Sequence, residues 1–406
     1  MYQHWIWLTT RKGIGTKGRA DLLRLFGSAE RIYEMTEAEY RETEGFESRW
    51  LEPLLDKSLE KADAILTECD EKEIDLLTYC DEFYPQLLKN IPDPPALLYY
   101  KGTLPNLNEE AAIAVVGSRR CTAYGLLQAK QFSKLIANCG AVVVSGGARG
   151  IDSMALRGAL DSNMPVVCVL GCGVDVIYPR ENQFLFRDVQ HHGCLLSEYP
   201  PGTPPDRNHF PVRNRIISGL ALGVLVVEAP EKSGALITAQ TALDQGRDVY
   251  AIPGNLGVKS CEGSNRLLRE GAAMVDNGWD VVKDYAYRYP EKIQDGRTRE
   301  AAEKIFRLRY GMRLPVYSPM PFQEDYDKKS VDNPPPKAYS DKKNQPAVLS
   351  ADEEAVNQVI GSQPIQADEI VAKTGLTAQR VTVALTMLQI KGQVEQLPGA
   401  YYRQKI

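Results

Sequence analysis

The sequence predicts an α/β fold: an extended parallel sheet flanked by helices, with a helical N-terminal domain before it and a small winged-helix domain after it. Three observations carry this prediction. Between residues 111 and 282, short apolar runs alternate with helical stretches. Runs this apolar belong to strands buried on both faces, the mark of a parallel sheet. Residues 347–406 return to an order of three helices and a hairpin, which is a winged helix-turn-helix pattern.

In chain order, residues 1–82 read as helical. KGRADLLRLFG, AERIYEMTEAEYRE and SLEKADAILTECDEKEI repeat apolar residues at three- and four-residue spacing. Residues 83–110 are proline-rich and partly extended, a lead-in to the sheet domain of residues 83–282. Its strands are expected at AIAVVGS, AVVVSGG, PVVCVLGCG, GVLVVEA and DVYAIPG. Its helices are expected at YGLLQAKQFSKLIANCG, IDSMALRGALDS and ALITAQTALDQG. Residues 283–346, rich in Tyr, Pro, Lys and Asp, read as a linker with one helix at TREAAEKIFRLRYG. In residues 347–406, SADEEAVNQVIGS, QADEIVAKTG and TAQRVTVALTMLQIKG are helices, the last capped by Thr377. A hairpin closes around Pro398-Gly399.

The 406 residues carry 48 Lys and Arg against 53 Asp and Glu, a net charge of −5. Taken whole, that argues against a generic polyanion binder. The acid is unevenly placed, however. Residues 1–110 hold 13 basic and 22 acidic side chains, while residues 111–282 hold 16 and 15. No apolar run reaches the roughly 18 residues of a membrane helix, and the start lacks the basic leader and cleavage site of a secretory signal. The 8 cysteines show no framework spacing. Reduced thiols in a cytoplasmic protein are expected, with no membrane association.

The predicted strands end in unusual turns: Gly117-Ser118-Arg119, SGGARGID at 145–152, Gly171-Cys172-Gly173, Ser233-Gly234 after Glu228, and Pro253-Gly254. Strand C-termini in an open parallel sheet line one edge, where ligands bind. Glycines let backbone amides come close, and helix N-termini are partly positive, so the expected guest is an anion, most simply phosphate. The first turn is not G-x-G-x-x-G, no acid follows at the required distance, and no G-x-x-x-x-G-K-[ST] occurs. Nicotinamide and P-loop nucleotide sites are therefore disfavoured, and no cofactor is expected. Repeated anion turns with Arg119, Arg149, Arg180, Arg213 and Arg215 suit an extended polyanion better than one nucleotide.

GSRRCTAYG, SGGARGID, VIYPREN, FPVRNRIISGLA, VVEAPEKSGALITAQTALDQGRDVYAIPG and GSNRLLREGA, in this order, resemble the DNA-processing protein A family, DprA/Smf. The resemblance is dense over residues 83–282 and looser at both ends. It implies an extended Rossmann-like domain that binds single-stranded DNA without sequence specificity, forms a homodimer, and loads the RecA recombinase during natural transformation. It attributes no catalytic activity to that domain. Carried onto this chain, Ser118 and Arg119 would hold phosphate. Gly146, Gly147 and Arg149 would form a second cradle, with Arg149 where the family often has Lys. Arg180 would match the basic residue after Tyr-Pro. Arg213, Asn214 and Arg215 of the FPxRNR motif would line the same pocket.

Other constellations carry competing readings. Tyr178, Phe184 and Phe210 neighbour the basic motifs and could stack on bases, although aromatics are more often core. Cys168, Cys172, His191, His192 and Cys194 match no common zinc spacing, and no metal is expected. Asp152 and Glu228 could serve a nucleotide N-glycosidic hydrolase as acid and base, the main alternative to DNA binding. The simpler expectation is that Asp152 caps a helix and Glu228 orients neighbouring turns. RKGIGTKGRADLLRLFG resembles a helix-hairpin-helix, supported locally by Arg11, Lys12, Lys17 and Arg19. Residues 34–82, with 5 basic against 17 acidic side chains, do not support it. The third C-terminal helix carries only Arg380 and Lys391 as cations, which favours a protein-contact role over duplex binding.

Overall fold

The computed structural model describes residues 2–297, 301, 303–305, 307, 350–361, 363, 365–390, 393–397 and 401–404. It divides into two compact units, residues 1–321 and 322–406.

The first unit opens with six helices: α1 (Tyr2–Thr10), α2 (Thr16–Phe26), α3 (Ala29–Glu34), α4 (Glu37–Glu42), α5 (Leu51–Leu55) and α6 (Glu60–Glu71). Their apolar faces bury Trp5, Trp7, Tyr40 and Trp50 completely. A capping box between Thr36 and Glu39 satisfies the first amides of α4. In the segment expected to be a helix-hairpin-helix, Arg11 is folded inward. It donates to the Trp7 carbonyl and to Asp56, 2.6 Å away. Arg19 is half-buried beside Glu198 and Arg215. Only Lys12 and Lys17 of the four predicted cations are exposed.

Nine strands form one sheet: β1 (Asp75–Thr78), β2 (Leu97–Gly102), β3 (Ala112–Val116), β4 (Val142–Ser145), β5 (Val166–Leu170), β6 (Cys194–Ser197), β7 (Gly223–Val226), β8 (Asp248–Ala251) and β9 (Ala273–Met274). The spatial order is β1-β2-β6-β5-β4-β3-β7-β8-β9. From β6 to β9 every neighbour is parallel, while β1 and β2 pair antiparallel along one edge. The chain leaves β3 for β4 on one side and later returns to β7 on the other. The crevice where ligands bind in such sheets therefore lies beyond the ends of β3 and β7.

The intervening helices are α7 (Gln86–Lys89), α8 (Ala123–Asn138), α9 (Ile151–Leu160), α10 (Gln183–His192), α11 (His209–Gly219), α12 (Gly234–Asp244), α13 (Glu262–Arg269) and α14 (Gly278–Val282). Alternate residues of β3 serve the two faces. Ile113 and Val115 join a core with α8, α9 and α10 that runs on into the Trp5 and Trp50 cluster. Ala112, Ala114 and Val116 join a second core with α11 and α12. The N-terminal helices thus share one core with the sheet.

Two expectations need correction. The sheet begins at Asp75, inside the segment read as helical, because four residues directly after a helix leave too short a pattern to separate. Residues 283–297, read as linker, pack on the sheet instead. Tyr285 is buried and donates to Asp248 at 2.5 Å, Ile293 is buried, and Lys292 pairs with Glu110. The helix expected at TREAAEKIFRLRYG and the rest of the linker lie largely outside the described residues.

The second unit contains α15 (Ala351–Val359), α16 (Ala367–Thr374), α17 (Ala378–Ile390) and a three-stranded antiparallel sheet of β10 (Ile365–Gln366), β11 (Val394–Leu397) and β12 (Tyr401–Gln404). It is the winged helix that the sequence predicts. The Thr377 hydroxyl accepts from the Arg380 amide, and Arg380 is paired with Asp352. The hairpin's turn at Pro398-Gly399 lies outside the described residues.

Candidate nucleic-acid interface

The turns after β3 and β4 interlock. The Ser118 amide donates to the Glu228 carbonyl at 2.7 Å. Its hydroxyl donates to the Arg120 carbonyl and accepts from the Arg120 amide. Ser118 therefore shapes the turn and leaves Arg119 and Arg120 exposed on its rim. Gly150 has φ +77°, and a Cβ there would lie 2.5 Å from the Ser118 carbonyl oxygen. Only glycine permits that approach.

Beneath the turns lie two buried carboxylates. Glu228 accepts from the Thr122 amide at 2.9 Å and from its hydroxyl at 2.6 Å, which fixes the N-cap of α8. Asp152, in the first turn of α9, accepts from the Ala148 amide. Burial pushes its carboxyl above the ordinary range, with Arg213 opposing. Both groups hold backbone in place: Glu228 orients its neighbouring turn as expected, whereas Asp152 grips the turn before α9 and does not cap the helix, whose N-cap is Gly150.

Arg213 is only 4% exposed. It donates to the Val169 carbonyl at 2.6 Å, and its Nε has no hydrogen-bond partner among the described residues. Its guanidinium lies against Gly146, where any Cβ would collide with it. The result is a fixed cation at the floor of the crevice.

Above this floor runs a groove of about 1060 Å³. Ser118, Arg119, Arg149, Arg213 and Asn214 of the predicted set line it, and Gly146 lines a lobe of about 260 Å³ that shares residues with it. Arg149 reaches the rim paired with Glu181. Three predicted residues are not brought there. Gly147 faces Cys168 and Phe186 below the turn, although its φ of +62° shapes the cradle. Arg180 is exposed, outside the lining. Arg215 is buried away from the groove. It forms two 2.8 Å hydrogen bonds to Glu198, and its Nε lies 2.9 Å from Asp93. On a helix, residues two apart point in nearly opposite directions, so Arg213 and Arg215 cannot share a face.

The motif-based reading missed four cations. Arg120, Arg207, Lys232 and Lys259 also line the groove, the first three on loops and Lys259 at the start of a short 3-10 helix, all beyond strand ends. Loop position at that sheet edge was the available signal. Among the described residues, seven basic side chains thus surround the groove, with Asp152 as the one carboxylate in its lining. Both α11 and α12 also begin there and turn positive helix ends toward it. The aromatics depart from the core expectation. Tyr178 is 41% exposed, its ring centroid is 5.7 Å from that of Phe210, and Arg119 lies 5.0 Å over the Phe210 ring. Among the described residues no group of three or more His, Cys, Asp and Glu could hold a metal. Cys168 is a buried thiol whose pKa burial raises.

This fold and site define a Rossmann-like protein with a cationic groove at the sheet's topological switch point. The family described as DNA recombination-mediator protein A matches residues 75–286, and the DprA winged helix domain matches residues 340–400. Protein Smf of Synechocystis is 31% identical over 99% of this chain and 98% of its own. DNA processing protein DprA of Bacillus subtilis is 41% identical over 56% of this chain and 77% of its own. The X-ray structure of DprA from Streptococcus pneumoniae superposes with a TM-score of 0.62 at 34% identity, covering 70% of this chain and 98% of that one. The chain belongs to the DprA/Smf family, and a DNA-processing role follows from that membership. Among the described residues, no helix is long and apolar enough to cross a membrane.

Proposed function

We propose that this chain binds single-stranded DNA without sequence preference along the cationic groove and delivers it to a RecA-type recombinase in the cytoplasm, acting as a homodimer. The groove lining carries the DNA part of this reading. Seven cations and two helix N-termini supply phosphate contacts, which dominate nucleic-acid affinity and carry no sequence information. The exposed Tyr178 and the half-buried Phe210 add a stacking surface, which favours unpaired bases over a duplex. The recombinase and the homodimer rest on the family resemblance, and the compartment on the cysteine usage.

In this reading Arg119, Arg120 and Arg149 grip phosphates at the rim, and Arg213 with Asn214 holds one at the floor. Glu228 and Asp152 keep the turns in shape and take no chemical role. The test is binding of labelled oligonucleotides to the full chain. Single strands are expected to bind more tightly than duplex, with affinity falling steeply as salt rises. Equal affinity for both forms, or unchanged affinity in Arg119→Ala, Arg149→Ala and Arg213→Ala alike, would overturn it.

A further inference from the structure

The loop from Gly171 to Arg180 has two sides. Gly171, Cys172, Tyr178 and Pro179 face the lobe of the groove. Val174, Asp175, Val176 and Ile177 face a separate pocket of about 300 Å³, closed by α10 and by the ends of α6 and β2. Ile177 and Tyr178 are adjacent, 43% and 41% exposed, and contribute to opposite sides. They form a low apolar ridge between two recesses.

The second pocket has the chemistry of a nucleotide site. Its wall is apolar and aromatic, from Val176, Ile177 and Phe184. The Arg187 guanidinium lies over the Phe184 ring, 5.3 Å from its centroid, so a flat cation stacked on a ring lines the pocket. Lys101 also lines it and donates to the Lys72 carbonyl. The acids nearby are engaged: Asp175 and Glu68 both pair with Lys72, and Asp175 also accepts from the Gly202 amide. Arg180, which the groove leaves outside, is exposed at the end of the same loop.

We infer that this pocket is a second nucleotide subsite, taking the single strand where it leaves the groove and crosses the Ile177–Tyr178 ridge. One base enters against Phe184 and Arg187, and Arg180 with Lys101 supplies charge to the flanking backbone. The occupant is the same strand because one loop builds both recesses and the rim charge is positive at each. This inference rests on the groove reading and extends the footprint beyond it.

The test is anisotropy of labelled oligothymidylates of increasing length on the full chain, at fixed salt, for the wild type, Phe184→Ala and Arg187→Glu. The wild type is expected to gain affinity in a step once the oligomer outgrows the groove. Phe184→Ala is expected to lose about tenfold on long oligomers and nothing on the shortest that bind. Arg187→Glu, at an exposed position, is expected to do the same without touching the core. Equal loss at every length, or none at any length, overturns the second subsite while the wild type still binds. Failure of the wild type to bind any oligomer overturns the groove reading itself.

Discussion

Arg215 belongs to a motif that would place it on DNA, and the structure gives it other work. Replacing it with methionine removes two hydrogen bonds to Glu198 and the contact with Asp93. Glu198 keeps a side-chain exposure of only 6%, so water cannot replace the lost cation, whereas Asp93 at 28% is partly rehydrated. Breaking a buried ion pair from one side costs about 3–5 kcal/mol, and Glu198 accounts for most of it here. Against a total stability of roughly 5–15 kcal/mol, the loss is large. Urea unfolding followed by tryptophan fluorescence reads it directly, since Trp5, Trp7 and Trp50 share the affected unit. Adding Glu198→Leu to Arg215→Met should recover part of the loss, because the uncompensated charge then disappears. Unchanged stability together with a selective loss of oligonucleotide affinity would refute this account and return Arg215 to the groove.

Arg207→Ala and Lys232→Ala should each weaken oligonucleotide binding evenly across sequences and flatten the log-affinity against log-salt slope by about 0.7, one single-strand phosphate contact apiece; an unchanged slope would remove that residue from the interface. Glu228→Gln puts a donor where the Thr122 amide or hydroxyl needs an acceptor, so thermal unfolding should report a loss of about 1–3 kcal/mol. Release of free base from nucleoside monophosphates by the wild type, absent in this variant, would contradict its structural role. Burial pushes the Lys57 amine down to about 8 among the rings of Trp7, Tyr33 and Tyr40. Its folded pKa lies below the unfolded value, so the unfolded chain binds more protons between the two, and stability should rise as pH climbs from about 8 toward 10. Lys57→Met should lack that rise in pH-dependent denaturation; parallel curves for the two proteins would disprove the assignment.

The parallel strands β3, β4, β5, β7 and β8 were legible because each is a dense apolar run closed by a glycine turn. β6 was less visible, since HHGC before it draws attention as metal chemistry while its four strand residues are merely buried. β1 was hidden by the helix it follows. In the site, glycine turns and their arginines located the crevice, but residue type alone could not assign direction. Arg213 faces the floor and Arg215 the helical layer because helical geometry separates them, an outcome that spacing alone contains once α11 is known to be helical. Tyr178 could not be separated from core aromatics, because its exposure depends on a loop with no periodic pattern. Arg207, Lys232 and Lys259 come together from three separate connections between strands and helices, a convergence that only the fold supplies.

The close contact of Gly150 with the Ser118 carbonyl has a kinetic consequence. The two turns pack closely, and the Ile151 amide donates to the Ser118 carbonyl at 3.3 Å, which ties one turn to the other. Little conformational freedom remains for an incoming strand to quench, and the entropic toll of ordering the site is already settled in the free protein. Capture should then proceed at the pace of charge-guided encounter, without a slow gating phase, and stopped-flow traces should stay single-exponential with a rate proportional to protein concentration.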